Sequence, residues 1–455
     1  MKQADAVIIG FGKGGKTLAG ALAAAGKKVI LVEQSDKMYG GTCINVACIP
    51  SKSLVHSAAL SAAQGGSFAD KARRYAEAIE EKDRLTSMLR GKNYHKLADN
   101  ANVEVLDGRA SFIDARHVAV RTAAGEEELE APQIFINTGA VPVLPAIPGL
   151  QESRHVYLSE TMLDRRELPE RLLIIGAGYI GMEFASMYAN FGAQVTVLQD
   201  GERFLPREDA EIAQAVLESL EARGITVLRP AQALRIEDAA DGALVTVSLP
   251  DGERTLRADA VLAAVGRRPN TQELNAAAAG VELTPRGAVR TDEKLRTTAP
   301  GIWAMGDVAG GLQFTYISLD DFRIVKSQLL GGGERTLDNR GAVPYSVFLD
   351  PPFSRVGLTE AEALEKGFEV KIARLPAAAI PKAQVLRKPV GLLKAVIDAK
   401  TGRILGAHLF CEESYEMINL IKLAIDAQIP YTVLRDNIYT HPTMSEAFND
   451  LFAGV

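Results

Sequence analysis

Two copies of one glycine pattern constrain the fold of this chain more than any other feature. The glycines are Gly10, Gly12 and Gly15 in the first copy, and Gly176, Gly178 and Gly181 in the second, 166 residues later. A short apolar run precedes each copy and another follows it, which predicts strand, glycine turn, helix and strand twice over. In such a unit the first glycine turns sharply, the second admits a pyrophosphate and the third lets helix and sheet pack closely. The sequence therefore predicts an α/β chain with two Rossmann-like dinucleotide-binding units.

The two copies differ at the residue that ends their second strand. The first copy has Glu33, whose carboxylate can accept hydrogen bonds from a ribose diol. The second copy has the neutral Gln199, followed by Asp200. NAD enzymes commonly place an acid here, and NADP enzymes place arginines nearby for the 2′-phosphate. Asp200 would repel that phosphate whereas Arg203 would attract it, so the pattern favours NADH and keeps NADPH as the alternative.

Length and composition narrow the class of protein. At about 150 residues per domain, 455 residues suggest about three domains. The net charge of −6, with no basic stripe, argues against nucleic-acid binding. The longest charge-free stretch, residues 131–151, contains several prolines and is not expected to form a membrane helix. We therefore expect a soluble cytoplasmic protein with neither nucleic acid nor membrane as a partner.

Outside the glycine units the pattern predicts one long helix, hairpins and a separate tail. Residues 68–98 have a polar helical periodicity typical of a solvated helix face. Residues 104–122 and the acidic stretch 126–130 are predicted to form hairpins. From Pro344 onward, alternating segments, a turn near Gly402 and a helical stretch predict an α+β domain.

A pair of closely spaced cysteines is the clearest chemical signal. Cys43 and Cys48 follow the first glycine unit. Five residues of ideal helix rise about 7.5 Å, and disulfide Cα separations rarely exceed about 6.8 Å. A bridge here therefore needs a distorted turn, which the two preceding glycines favour. The pair therefore indicates either redox catalysis or metal binding, and the alternative is that both are buried reduced cysteines without a chemical role. The third cysteine, Cys411, is expected to be a core thiol.

The motifs, taken in order, resemble those of the flavin-dependent pyridine-nucleotide disulfide reductases, which include lipoamide dehydrogenase, glutathione reductase and mercuric reductase. GGTCINVACIPSK is similar to the active-site segment of that family, and GAGYIGMEFA, VGRRPN, IWAMGDVAGG and THPTMSE follow in the family's order. The resemblance covers essentially the whole chain. It implies an FAD domain at residues 1–145 and 275–337, an NAD(P) domain at 146–274 and a dimerisation domain at 338–455.

The resemblance also implies roles for individual residues. The catalytic set is Cys43, Cys48, Lys52, Glu183, His441 and Glu446. The FAD-binding set is Gly10, Gly12, Gly15, Glu33, Gly41, Thr42, Lys52, Ala110, Gly139 and Asp307. The NAD(P)-binding set is Gly176, Gly178, Tyr179, Ile180, Gly181, Gln199 and Gly266. No metal site is implied.

Within this scheme the two cysteines have different tasks. Cys48 is implied to face the flavin, and Cys43 is implied to attack substrate, with a pKa lowered by the flavin and a helix start. Lys52, paired with Glu183, would stabilise negative charge on the reduced flavin. Tyr179 is implied to be a mobile cover over the nicotinamide pocket.

A histidine near the C-terminus is the candidate for proton transfer. His441 begins HPTMSE, and Glu446 lies five residues later. A carboxylate partner can fix the tautomer of a histidine and raise its basicity. A single histidine here is otherwise structural or solvated. In the family this dyad reaches the cysteines of the other subunit, which implies a homodimer with two shared active sites.

Several segments resemble a narrower branch, the reactive-chlorine-resistance flavoproteins: MYGGTCIN, FLPRED, GGLQFTYISLDDFRIV, PYSVF and RDNIYTHPTMSEAFNDLF. This resemblance implies reduction of a small oxidant, hypothiocyanous acid or a related reactive halogen species, through a Cys43–Cys48 disulfide. The alternatives are a copper(II) reductase, a dihydrolipoamide dehydrogenase and a non-catalytic redox sensor that keeps FAD as structure. The final NDLFAGV has no cysteine, which argues against mercuric reductase and large thioredoxin reductase chemistry.

Overall fold

The computed structural model describes residues 1–455. The chain divides into two compact units, and each is described by itself. The first unit comprises Met1–Ser53, Glu77–Val143 and Gly266–Arg340. The second unit comprises Leu54–Ala76, Leu144–Val265 and Gly341–Val455.

A five-stranded parallel sheet forms the centre of the first unit. Its strands lie in the order Ile302–Ala304, Gln133–Ile136, Ala6–Ile9, Val29–Glu33 and Val103–Asp107. The middle strand is buried along its whole length, which explains its uninterrupted apolar sequence. The chain then turns at Gly10 into the first glycine helix, Lys13–Ala24. The predicted order of strand, turn, helix and strand is confirmed.

A second, four-stranded sheet belongs to the same unit. Its strands lie in the order Lys2–Gln3, Gly125–Glu130, His117–Thr122 and Arg109–Phe112. The last three form the predicted antiparallel hairpins. The hairpin prediction was wrong for residues 104–107, which belong to the strand Val103–Asp107 and pair in parallel within the first sheet. Gly108 lies between the two strands, and a β-carbon there would lie 2.6 Å from the Val120 side chain.

The second unit contains the second copy of the predicted architecture. Its parallel strands lie in the order Val156–Leu158, Ala260–Ala263, Arg171–Ile175, Gln194–Leu198 and Thr226–Leu228. The second glycine helix, Tyr179–Phe191, follows the turn that begins at Gly176. An antiparallel meander consists of Gln232–Ala239, Gly242–Leu249 and Gly252–Ala258.

The tail of the chain is α+β, as predicted. An antiparallel sheet has its strands in the order Tyr345–Val347, Phe353–Gly357, Ile404–Phe410, Leu392–Asp398 and Val370–Pro376. Helices Ser414–Asp426 and Ala447–Ala453 pack on it and share its apolar core. The predicted fold class, two dinucleotide-binding units followed by an α+β domain, is confirmed.

The remaining elements are helices of different lengths, two short strands and short turns. The remaining α-helices are Thr42–Asn45, Cys48–Gln64, Phe68–Ala98, Ser159–Met162, Ala210–Ala222, Thr315–Leu330, Glu360–Glu365, Pro381–Val385 and Tyr431–Arg435. Two short strands, Ala140–Pro142 and Arg267–Pro269, pair with each other. Short 3₁₀ turns are Asp36–Met38, Ala276–Ala279, Gly306–Ala309 and Ala377–Ala379. None of the helices combines the length and apolar character needed to cross a bilayer.

A buried ionic cluster joins the helix Ala210–Ala222 to the C-terminal sheet. The side chain of Lys394 is 2% exposed, and its Nζ donates to Asp209 at 3.0 Å and to Glu211 and Glu360 at 2.7 Å each. Asp209 also caps the helix, because it accepts from the Glu211 N–H at 3.1 Å. Burial by itself lowers the pKa of Lys394, but the hydrogen-bonded carboxylates outweigh it and raise that pKa.

Replacing Lys394 by methionine should destabilise the second unit strongly. Three carboxylates would remain around an apolar side chain, and removing one partner of a buried ion pair costs about 3 kcal/mol or more of unfolding free energy. Denaturant unfolding followed by circular dichroism measures this cost. The matched control is Lys400→Met, because Lys400 is 71% exposed and its pair with Glu369 spans 3.6 Å. Equal midpoints for the two variants would refute a stabilising role of the cluster.

Candidate active site

The first glycine turn is shaped by the neighbouring strand. Gly10 has a φ of +109°, which glycine adopts without strain. A β-carbon on Gly10 would collide with the backbone of Asn137, and one on Gly15 would collide with the backbone of Gly10. A β-carbon on Gly12 would lie 2.6 Å from Asn137 Oδ1. The tight turn and the close helix packing expected of these glycines are therefore present.

Asn137 is a site residue that the sequence analysis missed. Its buried Oδ1 accepts from the Gly15 N–H at 2.9 Å, and its Nδ2 donates to the Met305 carbonyl oxygen at 2.6 Å. Ser318 Oγ accepts from the Gly14 N–H at 3.0 Å. These two side chains satisfy amides in the first turn of the glycine helix, which have no partner within the helix. A polar residue directly after an apolar strand was the available signal.

The redox segment packs directly on this turn. Gly41 has a φ of +82°, and a β-carbon on it would lie 2.6 Å from the Cα of Gly12. Thr42 begins the next helix, and its Oγ1 lies 3.9 Å from the point where a β-carbon on Gly139 would stand. The structure therefore brings together four of the predicted FAD-binding positions.

Glu33 fits the ribose-binding role. Its carboxylate is buried and accepts from the N–H groups of Phe11 at 2.9 Å and Gln34 at 2.8 Å. Burial raises the pKa of Glu33 to about 7 in spite of these hydrogen bonds. Additional donors would favour the charged carboxylate, and a ribose diol supplies two of them.

The other predicted FAD positions lie in the same unit. Asp307 lies in the short 3₁₀ turn Gly306–Ala309, and burial raises the pKa of its carboxyl group. Ala110 lies opposite Val120 in the hairpin sheet and packs on the apolar core of the first unit. Ala110 is thus a packing position in the structure, and its role toward FAD stays a prediction.

The two cysteines meet although they belong to separate helices. Cys43 lies in Thr42–Asn45, the chain leaves that helix at Val46, and Cys48 begins the next helix. This break is the distortion that the five-residue spacing requires. Both side chains are half-buried thiols that form no disulfide, and the side chain of Cys43 hydrogen-bonds to Cys48. Cys48 Sγ lies 3.6 Å from the hydroxyl oxygen of Thr315.

The expected titration of Cys43 is wrong for the dithiol form. We expected a lowered pKa, but the pKa of Cys43 is raised, first by its hydrogen bond with Cys48 and then by burial. The hydroxyl of Thr315 and the charge of Lys16 act in the opposite direction. In the dithiol form Cys43 therefore holds its proton more tightly than a free cysteine. Thr315 and Lys16 were not among the predicted site residues.

The second glycine turn resembles the first but leaves open space. A β-carbon on Gly176 would lie 2.7 Å from a backbone carbonyl oxygen, and one on Gly181 would collide with the backbone of Gly176. A β-carbon on Gly178 would meet nothing within 4 Å, although its φ of −74° suits any residue. Gly266 faces similarly open space. Room beside a helix start is what a pyrophosphate needs, so the second glycine turn fits a bound dinucleotide. Gly266 belongs to the first unit, and its role toward NAD(P) stays a prediction.

Tyr179 is held by a carboxylate that the sequence analysis missed. The hydroxyl of Tyr179 donates to Glu208, and Oε1 of Glu208 also accepts from the Tyr345 hydroxyl at 2.8 Å. Glu208 is 4% exposed, and Arg355 lies 3.6 Å from its second oxygen. Half-buried Ile180 follows Tyr179 in the second glycine helix. The sequence feature that could have indicated Glu208 is the segment FLPRED, in which two acidic residues follow soon after two apolar ones.

In the second unit, the segment that follows the strand Gln194–Leu198 contains Gln199 and Asp200 and lies near two arginines. Gln199 is buried, and its Nε2 donates to Asp200 Oδ1 at 3.3 Å. A cavity of about 160 Å³ lies next to this segment, and both Arg203 and Arg229 line it together with Glu208. The Arg229 guanidinium also donates to a backbone carbonyl oxygen at 3.2 Å. Charges of both signs therefore line this cavity.

Two of the remaining predicted residues, Glu183 and His441, have hydrogen-bond partners within the second unit. Glu183 accepts from the Phe348 N–H at 2.9 Å. His441 Nδ1 lies 2.9 Å from both carboxylate oxygens of Glu446, and the His441 side chain is 67% exposed. Lys52 lies in the first unit, one turn after the second cysteine. The pairing of Lys52 with Glu183 and the reach of His441 to another subunit stay predictions.

Comparison with known proteins gives one consistent result. The family model of the pyridine nucleotide-disulphide oxidoreductases matches residues 4–321, and that of their dimerisation domain matches residues 343–452. The chain is 49% identical over 453 residues to the probable pyridine nucleotide-disulfide oxidoreductase RclA of Escherichia coli (strain K12), covering 100% of this chain and 99% of that relative. It is 34% identical over 453 residues to a mercuric reductase of Staphylococcus aureus, covering 98% of this chain and 81% of that relative.

Solved structures agree with the sequence relatives. The Cu(II) complex of the HOCl-induced flavoprotein disulfide reductase RclA from Escherichia coli superposes with a TM-score of 0.94, at 49% identity and over 100% of both chains. Family models, sequence and structure therefore agree along the whole chain. The protein belongs to the pyridine nucleotide-disulphide oxidoreductases, enzymes that use FAD and a nicotinamide cofactor.

Proposed function

We propose that the protein is a homodimeric FAD enzyme that uses NADH, in preference to NADPH, to reduce hypothiocyanous acid or a related reactive halogen species. The contact between Cys43 and Cys48, on a segment packed against the first glycine turn, carries this proposal. The 49% identity to RclA, an HOCl-induced flavoprotein, supports the assignment to halogen oxidants. The FAD domain would comprise residues 1–145 and 275–337, the NAD(P) domain 146–274 and the dimerisation domain 338–455.

The residues of the first unit divide the work of holding the cofactor. When bound, FAD supplies a two-electron relay between the nicotinamide and the cysteine pair. The glycine helix offers its amides to the pyrophosphate, Glu33 the carboxylate for the ribose, and Asp307 a carboxylate for the ribitol. Lys52, with Glu183 as its partner, would stabilise negative charge that develops during reduction.

The cysteine pair would reduce the oxidant in two displacement steps. The Cys43 thiolate attacks the sulfur of hypothiocyanous acid, an S–S bond forms, and hydroxide leaves and is protonated to water. The Cys48 thiolate then attacks Cys43 sulfur, so the protein disulfide forms and thiocyanate leaves. Two electrons from NADH restore the dithiol for the next turnover.

Proton transfer would fall to the dyad of His441 and Glu446. Since the pKa of Cys43 is raised in the dithiol, this thiol needs a base before it can attack. The carboxylate of Glu446 fixes the imidazole through Nδ1, which leaves Nε2 for the thiol proton. In the proposed dimer, His441 of the partner subunit accepts this proton and later gives it to the departing hydroxide.

Copper(II) reduction is a second candidate function. One observation favours it, namely that RclA from Escherichia coli has been solved as a Cu(II) complex. Thiolates are soft ligands that suit copper(I), the product of such a reaction. No cluster of three or more His, Cys, Asp or Glu side chains in this chain could hold a metal ion.

A panel of oxidants tests the proposed substrate. We expect fast NADH oxidation with hypothiocyanous acid and slow oxidation with oxidised glutathione, lipoamide or copper(II). Cys43→Ser should lose at least about 100-fold in activity, because Cys43 is the proposed attacking thiol and Cys48 alone cannot complete a disulfide. The matched control is Cys411→Ala, which removes the third, fully buried cysteine. Preference for lipoamide or copper(II), or full activity of Cys43→Ser, would refute the proposal.

The Thr315 hydroxyl should make Cys43 more reactive. Its hydrogen bond lowers the pKa of Cys43, so Thr315→Val should slow alkylation of the reduced enzyme by iodoacetamide at neutral pH about three- to tenfold. Thr315→Ser keeps a hydroxyl and is the control, with a rate close to that of the wild type. Equal rates for the valine and serine variants would show that this hydrogen bond does not act on the thiol.

Asp200 should set the preference for NADH. Its carboxylate would repel a 2′-phosphate, so Asp200→Ser should raise kcat/KM for NADPH relative to NADH roughly tenfold. The control is Glu202→Ser, which removes an exposed acid two residues away. Steady-state kinetics with both cofactors measures the ratio, and a wild-type preference for NADPH would contradict the assignment.

A further inference from the structure

Lys16 is a cation beside the redox segment whose contacts are all neutral. It lies one turn into the first glycine helix, and its Nζ donates to Asn93 Oδ1 at 2.6 Å and to the Gly40 carbonyl oxygen at 3.4 Å. Gly40 lies three residues before Cys43. Neither acceptor carries a charge, and Lys16 forms no ion pair with a carboxylate. Lysine charge is seldom withdrawn from water without a partner, so this arrangement needs an explanation.

The surroundings of Lys16 add positive charge. The titratable groups that act on it are Lys13 on its own helix, Lys96 on the long helix Phe68–Ala98, and Cys43. Burial, followed by the two lysines, lowers the pKa of Lys16 to about 8, so the amine is mostly protonated at neutral pH. Of the three, Cys43 is the one group whose ionised form favours the charged amine.

A second cation contacts the same segment. Arg90, also on the long helix, donates to the Asn45 side-chain oxygen at 3.4 Å and to the Lys37 carbonyl oxygen at 3.3 Å. Asn45 ends the short helix that carries Cys43. Like Lys16, Arg90 contacts neutral acceptors on the redox segment. Two cations without carboxylate partners therefore contact the segment that contains Cys43.

We propose that Lys16 is a specificity residue that draws small monovalent anions to Cys43. The inference rests on the proposed function, in which Cys43 attacks the oxidant. Hypothiocyanous acid is a weak acid in equilibrium with its anion, and the second displacement releases thiocyanate, so the reaction presents an anion at both stages. The ammonium group of Lys16 offsets the charge of that anion as well as the charge of the Cys43 thiolate.

Alkylation of Cys43 by a charged and a neutral reagent tests this proposal without any oxidant. The protein is the FAD-loaded Cys48→Ser variant, in which Cys43 is left with the fully buried Cys411. The measured quantity is the ratio of the alkylation rates with iodoacetate and iodoacetamide, two reagents that differ in charge. Because both reagents react with the same thiolate, the ratio of their rates does not depend on the ionised fraction of Cys43.

We expect Lys16→Met to lower this ratio about five- to tenfold. Lys16→Arg should restore most of it, since the charge returns. Lys27→Met is the matched control, because it removes the same charge just beyond the far end of the same helix, and it should leave the ratio unchanged. In the Cys48→Ser protein that keeps Lys16, the ratio of the iodoacetate rate to the iodoacetamide rate should fall with added salt. It should also fall as pH rises through about 8, where Lys16 loses its proton.

The outcomes separate this proposal from the proposed function. Equal ratios for Lys16→Met and Lys27→Met, in samples with equal FAD content and equal far-ultraviolet circular dichroism, would overturn the role of Lys16. If Lys16→Met loses FAD, the test becomes the salt and pH dependence of the rate ratio in the Cys48→Ser protein that keeps Lys16. A ratio that changes with neither salt nor pH overturns the proposal. A normal charge preference in an enzyme that does not reduce hypothiocyanous acid would instead refute the proposed substrate alone.

Discussion

The backbone of Gly41 touches the backbone of Gly12, and the site in the first unit depends on this contact. A side chain on Gly41 would push the redox segment away from the glycine turn, and a side chain on Gly12 would collide with Asn137. Asn137 holds the turn from the opposite side, through hydrogen bonds that join Gly15 to Met305. The position of Cys43, two residues after Gly41, is therefore set by backbone packing and not by the cysteine itself.

Burial and hydrogen bonding control the protonation of the cysteine pair. The hydrogen bond with Cys48 and burial raise the pKa of Cys43, and the hydroxyl of Thr315, which also lies 3.6 Å from Cys48 Sγ, acts in the opposite direction. In the proposed scheme Lys16 adds positive charge near Cys43, on the segment that Arg90 also contacts.

In the second unit, adjacent acids have separate structural tasks. Glu208 accepts hydrogen bonds from Tyr179 and Tyr345, and Asp209 caps the next helix and contacts the buried Lys394. The position of Tyr179 is thus tied, through one short segment, to the sheet that begins the dimerisation domain. A shift of that segment would move the tyrosine expected to cover the nicotinamide pocket, which couples the proposed cofactor gate to the C-terminal fold.

Local chemistry explains why much of this could be predicted from the sequence. A glycine turn needs glycine at set positions, so the two dinucleotide-binding units, the cysteine segment and the Glu33 carboxylate can be recognised without a structure. The spacing of the cysteines likewise required a break in the helix, which is present at Val46. The pairing of Val103–Asp107 was predicted wrongly, because its alternation does not distinguish a hairpin from an edge of a parallel sheet.

Residues that act through contacts between distant segments could not be found in this way. Asn137 lies 122 residues from Gly15, and the two meet because adjacent parallel strands end at the same edge of a sheet. Thr315 reaches Cys48 across 267 residues, and only the packed chain raises the pKa of Cys43. The sequence by itself determined which backbone turns and reactive groups exist. The tertiary structure decided which of those groups are withdrawn from water and placed together, because burial and long-range contact are properties of the packed chain.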